Sequence, residues 1–175
     1  MSLFLLSQIL VGIAICTDIL SFQFKAKTRI VACLLVSCVL ISIHFMLLGH
    51  WTAACLGLLA ATRFTVSLFS TSKKLMVLFV LTTIVVAAVS YEGYLSILAC
   101  TGGIFGTVAS FCKEDKQLRQ LMLVGTSLWL IHNVLAGSPG AVLMEVLFIG
   151  SNVVGYFRYY ILPKKRRLDA KENSV

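Results

Sequence analysis

The sequence predicts an all-α membrane protein whose seven transmembrane helices form two parallel three-helix repeats joined by a linker helix. Three observations predict it. Apolar residues make up 59% of the chain and charged residues 13%, with a mean hydropathy of +0.96; a soluble domain carries about 25% charge. Apolar runs of roughly 18–23 residues follow one another, each long enough to cross a ~30 Å hydrocarbon core as a helix. Finally, Ile43-His44-x-x-Leu47-x-Gly49-x-x-x-Ala53 recurs as Ile131-His132-x-x-Leu135-x-Gly137-x-x-x-Ala141, an offset of 88 in a chain of 175 residues.

The predicted spans are about 3–24, 29–48, 51–70, 74–91, 94–112, 117–136 and 141–162. The first span has no basic residue ahead of its apolar run, is long enough to cross the bilayer and contains Asp18, so it reads as a retained helix rather than a signal peptide. The short connections leave no room for a soluble domain, and only residues 163–175 form a polar tail.

Charge placement orients the spans. Lys25, Lys27 and Arg29 follow span 1, Lys73 and Lys74 follow span 3, Lys113, Lys116 and Arg119 follow span 5, and Lys164, Lys165, Arg166, Arg167 and Lys171 follow span 7. The loops near Gly49, Gly93 and Gly137 carry no Lys or Arg. The positive-inside rule therefore puts the basic side and the C-terminus in the cytoplasm, with the N-terminus outside. The net charge of +8 needs no nucleic-acid partner, because topology and anionic lipid headgroups account for it.

Sliding residues 5–71 over 93–159 without a gap gives 14 identities in 67 positions. The repeat pairs spans 1–3 (about 3–71) with spans 5–7 (about 93–162) and leaves span 4 (about 74–91), which has no ionisable residue in its apolar run, as a linker facing mostly lipid. An odd spacer returns span 5 to the orientation of span 1, so the repeats are parallel. Small residues form stripes at Ala53, Gly57 and Ala61, at Gly102, Gly106 and Ser110, and at Ser151 and Gly155. Such stripes let helix backbones approach closely in lipid.

A 3+1+3 layout with an external N-terminus is similar to that of the SWEET sugar transporters and the wider PQ-loop superfamily, although spans 1 and 5 lack a proline and so the Pro-Gln signature. That resemblance implies that the third helix of each unit sits between the first two. A closer resemblance rests on IHFMLLG (43–49), AATRF (60–64), WLIHNVLAGSPG (129–140) and the Glu145, Asn152, Arg158 spacing. Through these segments the chain resembles the bacterial YgjV inner-membrane family. This implies a multi-pass protein of the bacterial inner (plasma) membrane and no particular chemistry.

Polar groups inside the spans are the candidate functional residues, since a charge near the bilayer centre costs ~2.5–3.5 kcal/mol even on the lenient insertion scale. Arg63 and Asp18 each lie about seven residues from the cytoplasmic end of their span, roughly 10 Å deep; spans 1 and 3 belong to one unit, so an ion pair between them is expected. Glu145 and Asn152 are two turns apart on one face, and His132 reaches a depth close to that of Glu145, which suggests a His–Glu pair. Asn133 replaces Phe45 of the first repeat. His44 and His132 are repeat-mates, for which one structural role is expected, bonding the loop backbone near Gly49 and Gly137. Tyr156, Arg158, Tyr159 and Tyr160 read as a cytoplasmic interface belt.

Together these residues suggest a cavity between the two units. The leading expectation is a uniporter or proton-coupled carrier of a small polar solute, with Arg63 favouring an anionic or hydroxyl-bearing group and Glu145 as the proton site. A membrane receptor or scaffold is the alternative. No H-E-x-x-H or G-x-S-x-G spacing points to an enzyme, and no cofactor or metal is expected. The six cysteines lie in or beside apolar runs without a C-x-x-C spacing, as gap-filling thiols do. The expected partners are the bilayer and the solute, and a single-chain pathway and a homodimer both stay open. A reporter that fluoresces only in the cytoplasm, fused after Val175, should fluoresce, and a periplasm-dependent phosphatase at the same place should be inactive; the reverse pattern would invert the topology.

Overall fold

The computed structural model describes residues 3–47, 51–89, 91, 93–135 and 139–163, with 45, 51–56 and 139–141 described by backbone alone. Among the described residues seven α-helices form: α1 (Leu3–Ser21), α2 (Lys27–Leu47), α3 (Trp51–Phe69), α4 (Lys73–Val89), α5 (Tyr94–Phe111), α6 (Asp115–Leu135) and α7 (Pro139–Tyr156). A π-helical turn, Phe157–Ile161, prolongs α7. Three helical segments, Leu3–Ser21, Lys27–His44 and Tyr94–Phe111, are long and apolar enough to cross a membrane.

Local chemistry explains the helix ends. Gly93 precedes α5 with φ of 102°, a left-handed conformation that a side chain would disfavour. Asp115 in the first turn of α6 complements the positive end of the helix dipole. Pro139 opens α7, where a missing N–H costs nothing. The backbone N–H of Met76 bonds the Ser72 carbonyl at 3.0 Å, starting α4.

The bounds of α2 and α6 coincide at an offset of 88, from Lys27–Leu47 to Asp115–Leu135, and α3 and α7 start at Trp51 and Pro139. Packing follows chain order: α1 lies along α2, α2 along α3, α5 along α6 and α6 along α7. Two further seams, α1 with α7 and α3 with α5, close these six helices into a ring, and α4 packs on α5. The middle helix of each triplet is therefore α2 or α6. This corrects the expectation that the third helix sits between the first two. The cause is loop length: a connection of three to five residues sends the chain straight back along the helix it has just left.

Specific contacts fix the order. The His44 ring on α2 bonds the Ser7 carbonyl of α1 at 3.0 Å. A Cβ at Gly57 of α3 would collide with the Ser42 hydroxyl of α2, and one at Gly102 of α5 would stand 2.8 Å from Trp129 of α6. Gly155 of α7 faces the Phe22 carbonyl and Arg119. The small-residue stripes thus do bring helices together, with α2, α6 and the end of α1 as partners.

The pattern of burial is that of a protein in lipid. Ser7, Asp18, Ser42, Thr107, Arg119 and Asn152 are sealed inside, whereas Leu3, Phe4, Ile13, Leu78, Val85, Leu143 and Val154 face outward. The apolar core is confined to one end of the ring, where Phe22, Ile30, Val31, Leu34, Phe64, Ala109, Leu118 and Met122 meet. This is the end at which α1 and α5 stop and α2 and α6 begin. Gly155→Ala should force the Phe22 carbonyl aside and lower stability by about 1–3 kcal/mol. Thermal melting in detergent would check this, with Gly150→Ala, which meets nothing within 4 Å, as the neutral comparison.

Candidate functional site

A cavity of about 750 Å³ lies inside the ring above the apolar core, and its wall takes residues from all seven helices. Leu34, Phe64 and Met122 belong to both the core and the wall, so the core forms the cavity floor. Four ionisable side chains singled out in the sequence line it: Asp18 from α1, Arg63 from α3, His132 from α6 and Glu145 from α7. Helix α4, expected to face mostly lipid, adds Thr83, Val86 and Ala87 to the wall. It does so because it covers α5 beside the seam with α3.

Arg63 is held at that seam. Its Nη1 donates to the Thr107 hydroxyl at 3.1 Å, and its guanidinium lies over the Phe64 ring at 4.8 Å. Nη2 passes Gly106, where an added Cβ would stand 3.9 Å away. Nε is buried without a hydrogen-bond partner. Asp18 is 8% exposed and accepts a hydrogen bond from Ser37 of α2. Glu145 stands close enough to Asp18 for their charges to interact. His132 bonds Asn133 Oδ1 through Nδ1 at 3.1 Å and packs edge-on against Trp129, with centroids 5.2 Å apart.

Several expected pairings do not form. Among the described residues the ion pair within 4.0 Å is Asp115 with Arg119, at 3.8 Å; Asp18 and Arg63 are not paired. Helix α2 lies between α1 and α3, and Asp18 bonds Ser37 of α2 whereas Arg63 bonds Thr107 of α5. His132 does not pair with Glu145, because its ring is turned toward Asn133 and Trp129. Asn133 is buried and outside the cavity wall. Asn152 also leaves the cavity: it is fully buried, and its Nδ2 donates to the Arg119 carbonyl at 2.9 Å. Two turns below Glu145, the same face of α7 has passed the floor and meets α6. Nor do His44 and His132 share a role, since His44 bonds α1 while His132 faces the cavity; Gly49 and Gly137 lie outside the described residues.

The seams follow the repeat. Arg63 bonds Thr107 across α3 and α5, and Ser151 donates to the Ile19 carbonyl across α7 and α1. Positions 63 and 151, and 19 and 107, are each 88 apart. The charged residues have uncharged mates: Gly106 answers Asp18, and Ser151 answers Arg63.

Below the floor lies a polar clasp that the sequence reading missed. Arg119, placed there in a loop, is a buried residue of α6. Its Nη1 donates to the Phe22 carbonyl at 2.8 Å, and its Nη2 to the Phe24 carbonyl. Its guanidinium also lies near the Phe22 and Tyr159 rings. Gln23 donates to Ser151 at 3.0 Å, the Tyr159 hydroxyl donates to the Gln23 carbonyl at 2.5 Å, and the Tyr160 hydroxyl to Asp115. Of the tyrosines read as an interface belt, Tyr159 thus grips the chain just past α1, and Tyr156 and Tyr160 bond α6. The signal available was Asp115-x-x-x-Arg119, one helical turn apart on the same face. Arg119→Gln removes two charge-assisted bonds and strands two carbonyls. It should cost about 3 kcal/mol, seen as a lower melting temperature of the purified protein, whereas Lys74→Gln, on an exposed side chain of α4, should leave it within experimental scatter.

Comparison with known proteins agrees with the inner-membrane reading. A family model described as a bacterial inner membrane protein, Imp-YgjV, matches residues 5–162. The inner membrane protein YgjV of Escherichia coli (strain K12) is 29% identical over 165 residues, covering 94% of this chain and 90% of the relative. No solved structure gives a significant match. With nearly the whole helical region matched, the chain belongs to the YgjV family of bacterial inner membrane proteins.

Proposed function

We propose that the protein is a carrier of a small polar solute, and that the cavity lined by all seven helices is its binding chamber. The observation that carries this reading is the convergence of Asp18, Arg63, His132 and Glu145, from four helices, on one cavity of about 750 Å³. Ionisable groups within a membrane mark solute or ion pathways because hydrocarbon penalises them elsewhere. A purely structural role would be met by closed pairs, yet these residues form no ion pair with one another.

Two parallel three-helix repeats about an axis along the membrane normal suit such a carrier. The shared offset of the helix bounds and the matching seam contacts favour that symmetry, although the helix order within each triplet differs from that implied by the SWEET resemblance. The seven helices serve as seven spans, with the N-terminus outside and the basic ends in the cytoplasm. The apolar floor then closes the cavity toward the cytoplasm. Rocking of one triplet against the other would part the α3–α5 seam and open the chamber inward. Glu145, at the outer level of the chamber, is the candidate proton-coupling residue, and Arg63 the candidate anchor for an anionic group.

The test is uptake into proteoliposomes of a labelled mixture of amino acids, short peptides, sugars and organic acids, with and without a proton gradient. Wild-type protein should accumulate at least one solute. Arg63→Ala should reduce uptake at least tenfold, and Glu145→Gln should abolish its dependence on the gradient. Uptake of none of these solutes by folded protein would overturn the carrier reading, and uptake unchanged in both variants would overturn the assignment of the two residues.

A further inference from the structure

A second cavity, of about 270 Å³, opens at the end of the ring where α3 and α5 stop and α2 begins. Lys27 and Thr28 of the first turn of α2 line it, with Ser67, Ser70 and Thr71 at and beyond the end of α3 and Lys113 beyond the end of α5. Among the described residues its wall contains no acid. Neither lysine has a carboxylate within 4.0 Å among those residues, although Glu114 follows Lys113 in the chain. The helix ends do not make up the difference. The first turn of α2 offers roughly half a positive charge and the end of α3 roughly half a negative one, which leaves the two ammonium groups to set the sign.

The repeat explains why this space is open and unbalanced. Positions 27, 31 and 71 have Asp115, Arg119 and Tyr159 as mates at the offset of 88, and those mates build the clasp. There Asp115 pairs with Arg119 at 3.8 Å, and the Tyr159 hydroxyl donates to the Gln23 carbonyl. In the first triplet a valine stands for the arginine and a threonine for the tyrosine, so the filling side chains are missing. A lysine stands for Asp115, so the negative charge is missing as well. Lys27 and Lys113 therefore share a cavity whose wall supplies no counter-charge.

We infer that this pocket binds a phosphate-type oxyanion between Lys27 and Lys113, with the Ser70 and Thr71 hydroxyls as further donors. The Ser70 hydroxyl accepts from the Ser72 N–H at 3.2 Å, which leaves its own proton to donate, whereas Ser67 commits its proton to the Phe64 carbonyl. Ammonium groups act as point charges and suit a tetrahedral anion, while a planar carboxylate is gripped better by a guanidinium fork. Lys27 belongs to the first triplet and Lys113 follows the first helix of the second. The bound anion thus bridges the triplets beside the α3–α5 seam, as the clasp does beside the α1–α7 seam. The phosphate of an anionic lipid headgroup and that of a soluble compound present the same chemistry to such a pocket.

The inference is independent of the carrier reading, and binding tests it. One arm melts the full chain in a neutral detergent with inorganic phosphate, or with chloride at matched ionic strength. The other counts, by native mass spectrometry, the phosphatidylglycerol retained on release from micelles that also contain phosphatidylcholine. Phosphate should raise the melting temperature by about 3 °C, or phosphatidylglycerol should be retained in preference to phosphatidylcholine. A response in the lipid arm alone identifies the headgroup as the source, and one in the phosphate arm alone a soluble compound. Lys27→Gln combined with Lys113→Gln should weaken the response about tenfold. Thr71→Tyr, which restores the bulk of Tyr159 and keeps both lysines, should weaken it comparably. Lys25→Gln, the exposed mate of Lys113, should leave it unchanged. No response in either arm by folded protein, a response that survives the double variant or Thr71→Tyr, or an equal loss in Lys25→Gln, the mark of a diffuse basic surface, would overturn the inference.

Discussion

Hydrocarbon cannot hydrogen-bond, so each charged or polar side chain carried into the spans must be met from within the protein. That constraint organises the fold. Serine and threonine hydroxyls turn back onto carbonyls of their own helices, as Thr17 does to Ala14 and Thr107 to Gly103. The groups that cannot be satisfied locally are placed where helices meet. Arg119 resolves its charge on the carbonyls that follow α1, Asn152 on the backbone of α6, and His44 on the backbone of α1. What remains after these are met is a small set lining the cavity, without ion-pair partners among themselves. The distinction between structural and candidate functional polar groups therefore comes from whether a partner is already in place.

The helices were legible because apolar runs leave a one-dimensional signal of length, and the offset of 88 in the sequence reappears in the bounds of α2 and α6. The inward-facing charges Asp18, Arg63, His132 and Glu145 were legible from their cost in lipid alone. Pairings were not. Depth along a helix can be counted from its end, but azimuth and neighbour order depend on which helix lies in the middle of each triplet. Placing α2 there was enough to part Asp18 from Arg63. Arg119 was misread for a related reason: four residues into α6, it looks like a loop charge until the end of α1 is brought against it.

The two triplets share the bounds of their middle helices and the positions of their seam contacts but not chemistry. At the 18/106 pair one copy keeps a carboxylate and the other a glycine; at the 63/151 pair one keeps a guanidinium and the other a hydroxyl. At the 31/119 pair a buried valine answers a buried arginine. The halves are thus unequal, with carboxylates reaching the cavity from α1 and α7 and the guanidinium from α3.

The wide turn Phe157–Ile161 adds a further inequality. A π-turn accommodates an extra residue, which widens the helix locally and redirects the side chains within it. Helix α3 ends at Phe69, the repeat-mate of Phe157, with no such turn. Within the π-turn Tyr159 and Tyr160 bond Gln23, just past α1, and Asp115, while among the described residues no matching side-chain bond ties the end of α3 to α5. Any relative rotation of the bundles would then pivot about the fastened side, much as a door swings on its hinged edge and not its free one.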